Sequence, residues 1–135
     1  MGSVATIRRF EDIEGWQKAR ELVRAVYAVS RRGDFARDFG LRDQVRRSAV
    51  SVMANIAEGF ERDGTAEFLQ YLSVAKASAA EVESHLYVAL DQGYVTRDEF
   101  KGIRDISAST RSLIAGLVRY LKESDIRGLK HRPPS

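Results

Sequence analysis

Proline is absent from residues 1–132, and apolar residues recur at helical spacing over most of that length. A proline inside a helix removes a backbone hydrogen bond and clashes with the preceding turn, so its absence permits long, uninterrupted helices. The clearest repeat alternates by fours and threes over roughly six turns, which is the spacing of a heptad seam. Its members are Phe68, Leu72, Ala75, Ala79, Val82, Leu86 and Ala89. The sequence therefore predicts an all-α protein whose helices pack side by side.

Four amphipathic stretches are separated by short segments that contain glycine and aspartate. The predicted helices span about residues 12–31, 41–61, 66–91 and 97–124. Four helices joined by short connections pack most simply as an antiparallel up-down-up-down four-helix bundle. We predict one such domain over residues 1–124, followed by a flexible basic tail over residues 125–135.

Two local features frame the second predicted helix. The segment from Asp34 to Gly40 is predicted to be a connector in which Phe35 and Phe39 cap the end of the bundle. At the other end, Gly59 offers the left-handed conformation in which helices commonly stop. These features indicate where the second helix begins and ends, but they do not indicate which helices it packs against.

Polar residues stand in the second predicted helix where apolar side chains are expected. Asn55 and Glu58 fall within or beside its apolar face. Because a buried charge must be paired, we predict a structural network of ion pairs and hydrogen bonds that fixes helix register. The members of this predicted network are Arg47, Asn55, Glu58 and Glu81.

Positive charge is concentrated in the first half of the chain. The whole sequence has a net charge of +3. Residues 1–62 hold 12 Lys and Arg against 9 Asp and Glu, and eleven of these twelve cations are Arg. Arg42 and Arg46 lie one helical turn apart, and Arg47 adjoins them. Arginine suits bidentate contact with phosphate, so these three are the predicted nucleic-acid-binding residues, with Arg62 as an auxiliary. A solvated bundle surface would give the same pattern.

Residues for catalysis or metal binding are scarce. There is no cysteine, which removes disulfides and thiol chemistry and fits a cytoplasmic location. A di-metal site in a helical bundle requires Glu-x-x-His on two helices, but here Glu81 precedes His85 by four and the second histidine is His131. No apolar run approaches the roughly 20 residues needed to span a membrane. We therefore expect no enzyme activity, no metal and no cofactor.

Several segments resemble the four-helix-bundle family encoded in the intervening sequences of bacterial large-subunit (23S) ribosomal RNA. The resemblance covers about residues 9–121, and its most specific part is the run Asn-Ile-Ala-Glu-Gly. The matching segments are Phe10-Glu11-Asp12-Ile13-x-x-Trp16-Gln17-Lys18-Ala19, Gln44-Val45-Arg46-Arg47-Ser48-Ala49-Val50-Ser51, Asn55-Ile56-Ala57-Glu58-Gly59-Phe60, Glu67-Phe68-Leu69-x-Tyr71-Leu72, Ala80-Glu81-Val82-Glu83 and Gly93-Tyr94.

This resemblance implies a compact bundle that assembles into a ring-shaped homo-oligomer, typically a pentamer. It also implies a relation to the accessory variability proteins of diversity-generating retroelements, which bind a reverse transcriptase and nucleic acid. The resemblance specifies the fold more closely than the function.

Two functions follow as hypotheses. The first is a non-enzymatic homo-oligomer that binds nucleic acid, RNA or DNA with structured RNA favoured, through the arginine-rich surface. The second is a protein–protein adaptor, such as an accessory subunit for a reverse transcriptase, with no nucleic-acid binding of its own. Phosphate-dominated binding weakens steeply with salt and apolar docking does not, so a salt series separates them.

Overall fold

The computed structural model describes the backbone of residues 7–131 and the side chains of residues 7–124. Within that part of the chain there are five α-helices, one short 3-10 turn and no strand, which confirms the all-α prediction. The elements are the 3-10 turn Phe10–Asp12 and the helices α1 Glu14–Ser30, α2 Gly33–Arg37, α3 Phe39–Phe60, α4 Thr65–Asp91 and α5 Arg97–His131. Helix α5 continues past residue 124, where we predicted its end. The predicted tail, residues 125–135, lies outside the residues whose side chains are described.

The four long helices pack around one apolar core. Helix α3 contacts α1 and α4, and α5 likewise contacts α1 and α4, so each long helix has two long neighbours. All four contribute fully buried side chains to the core, among them Leu22, Val26, Val45, Ile56, Leu72, Leu86 and Ile114. These contacts favour a four-helix bundle. Among the described residues, no helix combines the length and the hydropathy that a membrane span requires.

The seam between α3 and α4 is built from small residues that let the two backbones come close together. The hydroxyls of Ser51 and Ser78 lie 2.9 Å apart across this seam. A Cβ added at Gly59 would lie 2.7 Å from the Cβ of Tyr71 and 3.0 Å from Cδ1 of Phe68. Gly59 does not have the predicted left-handed conformation, because α3 continues through it to residue 60. Its missing side chain serves helix approach instead.

The segment between α1 and α3 forms the short helix α2 and not an irregular connector. Phe35 is 1% exposed and stacks on Tyr94, with ring centroids 5.2 Å apart. The Tyr94 hydroxyl donates to Asp38 Oδ2 at 2.9 Å, and Asp38 Oδ1 accepts from the backbone N–H of Leu41 at the start of α3. Phe39 is 63% exposed and contributes nothing to this end of the core. The prediction that both phenylalanines cap the bundle is therefore wrong for Phe39.

The start of α5 is fixed by a reciprocal cap. The backbone N–H of Glu99 donates to Thr96 Oγ1 at 3.1 Å, and Glu99 Oε1 accepts from the backbone N–H of Thr96 at 2.9 Å. Glu99 Oε2 also lies 2.7 Å from Nη1 of Arg32, just after α1. The hydrogen bond from Arg32, followed by the one from Thr96, lowers the pKa of Glu99 from 4.5 to about 2. The Glu99 carboxylate thus links the ends of α1 and α5.

This lowered pKa predicts a pH-dependent stability. Because the folded pKa lies below the unfolded value, ionised Glu99 stabilises the fold fully above about pH 4.5, and this stabilisation is lost as the pH falls towards 2. In Glu99→Gln the cap to Thr96 is retained and the ion pair with Arg32 is lost. We expect its deficit in unfolding free energy to be constant from about pH 7 to 5 and to shrink below pH 4.5. Urea titrations across this range measure it, and an undiminished deficit at pH 3 would contradict the assignment.

Candidate functional site

Arg42 is engaged by residues of its own chain. Its Nη1 donates to the backbone carbonyl of Ala36 at 3.0 Å, and its Nε donates to Asp43 Oδ1 at 3.0 Å. The guanidinium carbon lies 4.8 Å from the ring centroid of Phe39. Arg42 therefore ties α3 to the end of α2, and two of its five N–H donors are occupied.

The other two members of the predicted arginine patch differ from each other. Arg46 is half-buried: its Nε donates to Ser30 Oγ at 2.7 Å, and its guanidinium carbon lies 4.4 Å from the ring centroid of Tyr27. Arg46 thereby joins α3 to α1. Arg47 is exposed and makes no hydrogen bond or ion pair with any residue described. The three arginines are near one another in sequence, and of the three only Arg47 is both exposed and unpaired within the described residues.

The auxiliary cation Arg62 lies at the far end of α3. Its Nη2 donates to Glu58 Oε1 at 3.0 Å and to the hydroxyl of Tyr71 at 2.6 Å. The Arg62 side chain is 43% exposed, so it remains accessible while it is held by an acidic partner. Arg62 and Arg47 line different grooves.

The four residues of the predicted polar network are not joined to one another. They are Arg47, Asn55, Glu58 and Glu81. The Asn55 amide donates within its own helix, to the carbonyl and hydroxyl oxygens of Ser51 at 2.8 and 3.0 Å. Glu81 accepts from Ser48 Oγ at 3.1 Å, while its side chain is 64% exposed. Because the charged members lie at the exposed edge of the helices, water solvates them and no buried pairing is required.

A more buried polar cluster joins α4 to α5. The carboxylate of Glu83, which is 17% exposed, accepts from Nε and Nη2 of Arg111 at 2.8 and 3.2 Å. It also lies 2.8 Å from the hydroxyl of fully buried Ser107. This bidentate ion pair orients the two helices relative to each other. The sequence assigns that structural role to the predicted network that contains Glu81.

Helix α5 carries a line of cations that we call the basic stripe. Its members are Arg97, Lys101, Arg104, Arg111, Arg119 and Lys122. If Ala108 and Ala115 are included, the line has eight positions, each three or four residues after the one before it. Residues at this spacing share one face of a helix. At about 1.5 Å per residue, the stripe is about 38 Å long.

Most of the stripe is free to meet a ligand. Its four exposed members make no hydrogen bond or ion pair within the described part of the chain. These four are Arg97, Lys101, Arg119 and Lys122. Arg111 is paired with Glu83, and Arg104 lies over the ring of Phe100. Four acidic residues of α5 have described side chains, and all lie off this line: Asp98, Glu99, Asp105 and Glu123. Glu99 is held by the Thr96 cap and Arg32, and each of the other three directly follows a stripe cation, about 100° around the helix from it.

A cation from α4 joins the stripe near its C-terminal half. Lys76, Arg119 and Lys122 line one groove of about 410 Å³ between α4 and α5. The remaining lining residues are uncharged: Leu69, Leu72, Ser73, Ala115 and Val118. Since no carboxylate lines this groove, it is an attractive position for a phosphate or another anion.

Sequence inspection missed the stripe because its members are dispersed over 26 positions and no two are adjacent. Attention to arginines close in sequence selected Arg42, Arg46 and Arg47, two of which the fold uses internally. Plotting the charges of residues 97–122 at 100° per residue would have found the line, because its period is visible without coordinates.

Comparison with known proteins places the chain in a family. The family model for the 23S rRNA-intervening sequence protein matches residues 11–116. One solved structure that it resembles is a protein of unknown function from the S23 ribosomal protein family of Bacteroides thetaiotaomicron, with 27% identity and a TM-score of 0.70. That match covers 77% of this chain and 97% of the other. A search of curated proteins found no match. The chain belongs to the family of 23S rRNA-intervening sequence proteins.

Proposed function

We propose that this chain is a non-enzymatic, homo-oligomeric helical bundle of the cytoplasm that binds structured RNA through phosphate contacts made by the basic stripe. The observation that carries the proposal is a line of six cations along α5, four of which are exposed and unpaired within the described residues. Like charges aligned in this way repel each other, and a polyanion relieves that repulsion while it releases its counterions. At about 3.4 Å per base pair, 38 Å corresponds to the length of about eleven base pairs of B-form duplex DNA.

The proposal relocates the binding surface that the sequence suggested. Arg42 and Arg46 hold α3 against its neighbours, so their substitution would report on folding as well as on binding. Arg47 and Arg62 remain secondary contributors. Phosphate contacts carry no sequence information by themselves, so the stripe accounts for affinity and orientation and not for recognition of a particular base sequence.

Chain length between helices supports an antiparallel bundle. The links after α3 and α4 have four and five residues, residues 61–64 and 92–96. Such links reach about 20 Å at most, whereas α4 is about 40 Å long. A parallel neighbour would require the chain to return along the full helix, so each successive long helix is better placed running in the opposite direction.

Exposed valines support self-association. Val50 on α3 and Val74 and Val88 on α4 are 41–46% exposed, although such side chains are usually buried in a monomer. We propose that a second copy covers them and that the ring has five members, as the family resemblance implies. The stripe lies on α5, outside this set of residues, so assembly leaves it open. We also propose that the chain is related to the accessory variability proteins of diversity-generating retroelements, as the family resemblance implies.

The same valines favour an alternative function. If a different protein and not a second copy covers them, the chain is an adaptor or accessory subunit, for example for a reverse transcriptase. Apolar docking of this kind depends weakly on salt, whereas phosphate contacts depend strongly on it.

Reversing the charge of three stripe cations tests the proposal. For Lys101→Glu/Arg119→Glu/Lys122→Glu we expect a loss of at least about a hundredfold in affinity for a hairpin RNA and for duplex DNA at about 0.1 M salt. For the duplex DNA, the slope of log K against log salt should become shallower by about 2.7, or 0.9 for each of three phosphates. Fluorescence anisotropy at a series of salt concentrations gives both quantities.

The matched control is Arg8→Glu/Arg20→Glu/Arg24→Glu, which changes the net charge equally at exposed positions outside the stripe. Light scattering must show the same oligomer in all three proteins. Binding by the stripe variant equal to that of the control would refute the stripe as the site. Absence of binding by the wild type at low salt would refute nucleic-acid binding altogether and leave the adaptor.

A further inference from the structure

We propose that Tyr87 stacks on an unpaired base of the nucleic acid that lies along the basic stripe, so that the ligand is a duplex interrupted by an unpaired nucleotide. This inference rests on the proposed function above. Tyr87 lies near the end of α4 and is 51% exposed, which makes it one of the few large hydrophobic side chains that are exposed among the residues described. Its hydroxyl makes no hydrogen bond within that part of the chain.

The ring of Tyr87 is supported from below. It packs against Phe100 of α5, with ring centroids 4.7 Å apart and an angle of 58° between the planes. Phe100 is itself only 4% exposed, so it forms a fixed floor. A tyrosine held on one side by the core and open to solvent on the other presents an aromatic surface whose position is set before any ligand arrives.

One stripe cation lies over the ring that supports Tyr87, and a second follows that ring's residue in the sequence. The guanidinium carbon of Arg104 lies 5.5 Å from the centroid of the same Phe100 ring that supports Tyr87. Lys101 is the next residue after Phe100 and is exposed. The nearby carboxylate of Glu83, one turn before Tyr87, is already occupied by Arg111. Cations that can contact the phosphate backbone of a nucleic acid thus lie close to an aromatic ring on which a base can stack.

This combination selects one class of nucleic acid. Proteins that bind unpaired nucleotides combine cations that follow the backbone with aromatic side chains on which bases stack. A base inside a continuous duplex has both faces covered by its neighbours, so it offers nothing to Tyr87. A bulged base or a loop base adjoining the duplex has a free face, and the stripe then holds the flanking paired segment.

The test uses two hairpins that share a stem of about 12 base pairs, one fully paired and one with a single bulged 2-aminopurine. We expect the wild type to bind the bulged RNA about tenfold more tightly, the range for one stacked base being roughly 5- to 150-fold. The fluorescence of 2-aminopurine should fall on binding, because stacking quenches it. The same pair made of DNA distinguishes the two sugar backbones.

Three variants isolate the ring. Tyr87→Leu keeps an apolar contact with Phe100 but removes the flat surface, and it should erase both the preference and the quenching while binding the paired hairpin normally. Tyr87→Phe should retain both. Tyr87→Met replaces the leucine variant if thermal unfolding shows that leucine disturbs the fold.

The outcomes separate this inference from the proposed function. Equal wild-type affinity for the two hairpins, or a preference and quenching that survive in the leucine variant, would overturn the role of Tyr87 and leave phosphate binding by the stripe intact. Absence of binding to either hairpin at low salt would overturn both.

Discussion

Phe35→Ala should lower the free energy of unfolding by about 3–5 kcal/mol, whereas Phe39→Ala should change it by less than about 0.5 kcal/mol. The two phenylalanines are four residues apart, at neighbouring ends of α2 and α3. Phe35 is 1% exposed and stacks on Tyr94, so its removal leaves a cavity where α2 meets the α4–α5 link. Phe39 is 63% exposed and contacts the guanidinium of Arg42, which water can solvate equally well.

Urea unfolding followed by circular dichroism measures both variants, each at the same protein concentration as the wild type. Phe39→Ala is the matched control, since it deletes the same atoms from an exposed site. Equal losses for the two variants would mean that Phe39 is also buried, for example by a second copy of the chain.

Gly59→Ala should destabilise the protein by about 2 kcal/mol or more, although alanine is the better helix former by about 1 kcal/mol. The new Cβ would lie 2.7 Å from the Cβ of Tyr71 and 3.0 Å from Cδ1 of Phe68. A carbon–carbon contact of 2.7 Å is too short to be accommodated by rotamer changes alone, since a Cβ moves only with its backbone. Helices α3 and α4 would therefore have to move apart along their small-residue seam, which would weaken the packing on both sides of it.

Gly102→Ala is the control for helix propensity. Gly102 is an interior residue of α5, it is exposed, and a Cβ placed there meets nothing within 4 Å. Alanine at this position should raise stability by up to about 1 kcal/mol. Denaturant titration that found the two alanine variants to behave alike would rule out close approach of the helices at Gly59.

The helices could be anticipated from the sequence because long amphipathic periods and end signals agree. Thr96 caps α5 as its hydroxyl and the nearby Glu99 suggest, and Gly93 has the positive φ of 75° that stops a helix. Helix α2 escaped notice because five residues are too few to display a helical period. The same brevity made Phe35 and Phe39 look equivalent, since which one is buried depends on the packing of Tyr94, more than fifty residues away.

The candidate site was less accessible to sequence reasoning. Periodicity places a residue on a face but does not tell whether a side chain at the edge of that face is solvated or paired. Arg46 and Arg47 are adjacent in sequence, yet Arg46 donates a hydrogen bond to Ser30 of α1 whereas Arg47 is exposed. For the same reason the sequence predicts Glu81 in a buried network. In the structure it is Glu83, two residues later, that forms the more buried ion pair, with Arg111.

Separation of the stripe on α5 from the exposed valines of α3 and α4 has a consequence for avidity. If copies associate through the valines, each brings its own row of cations, and the second row engages a long duplex at the high local concentration set by the first. Apparent affinity would then depend on duplex length and on protein concentration, although no additional contact is formed within any one protomer. A short hairpin, which only one row can reach, would report the intrinsic strength of a single stripe.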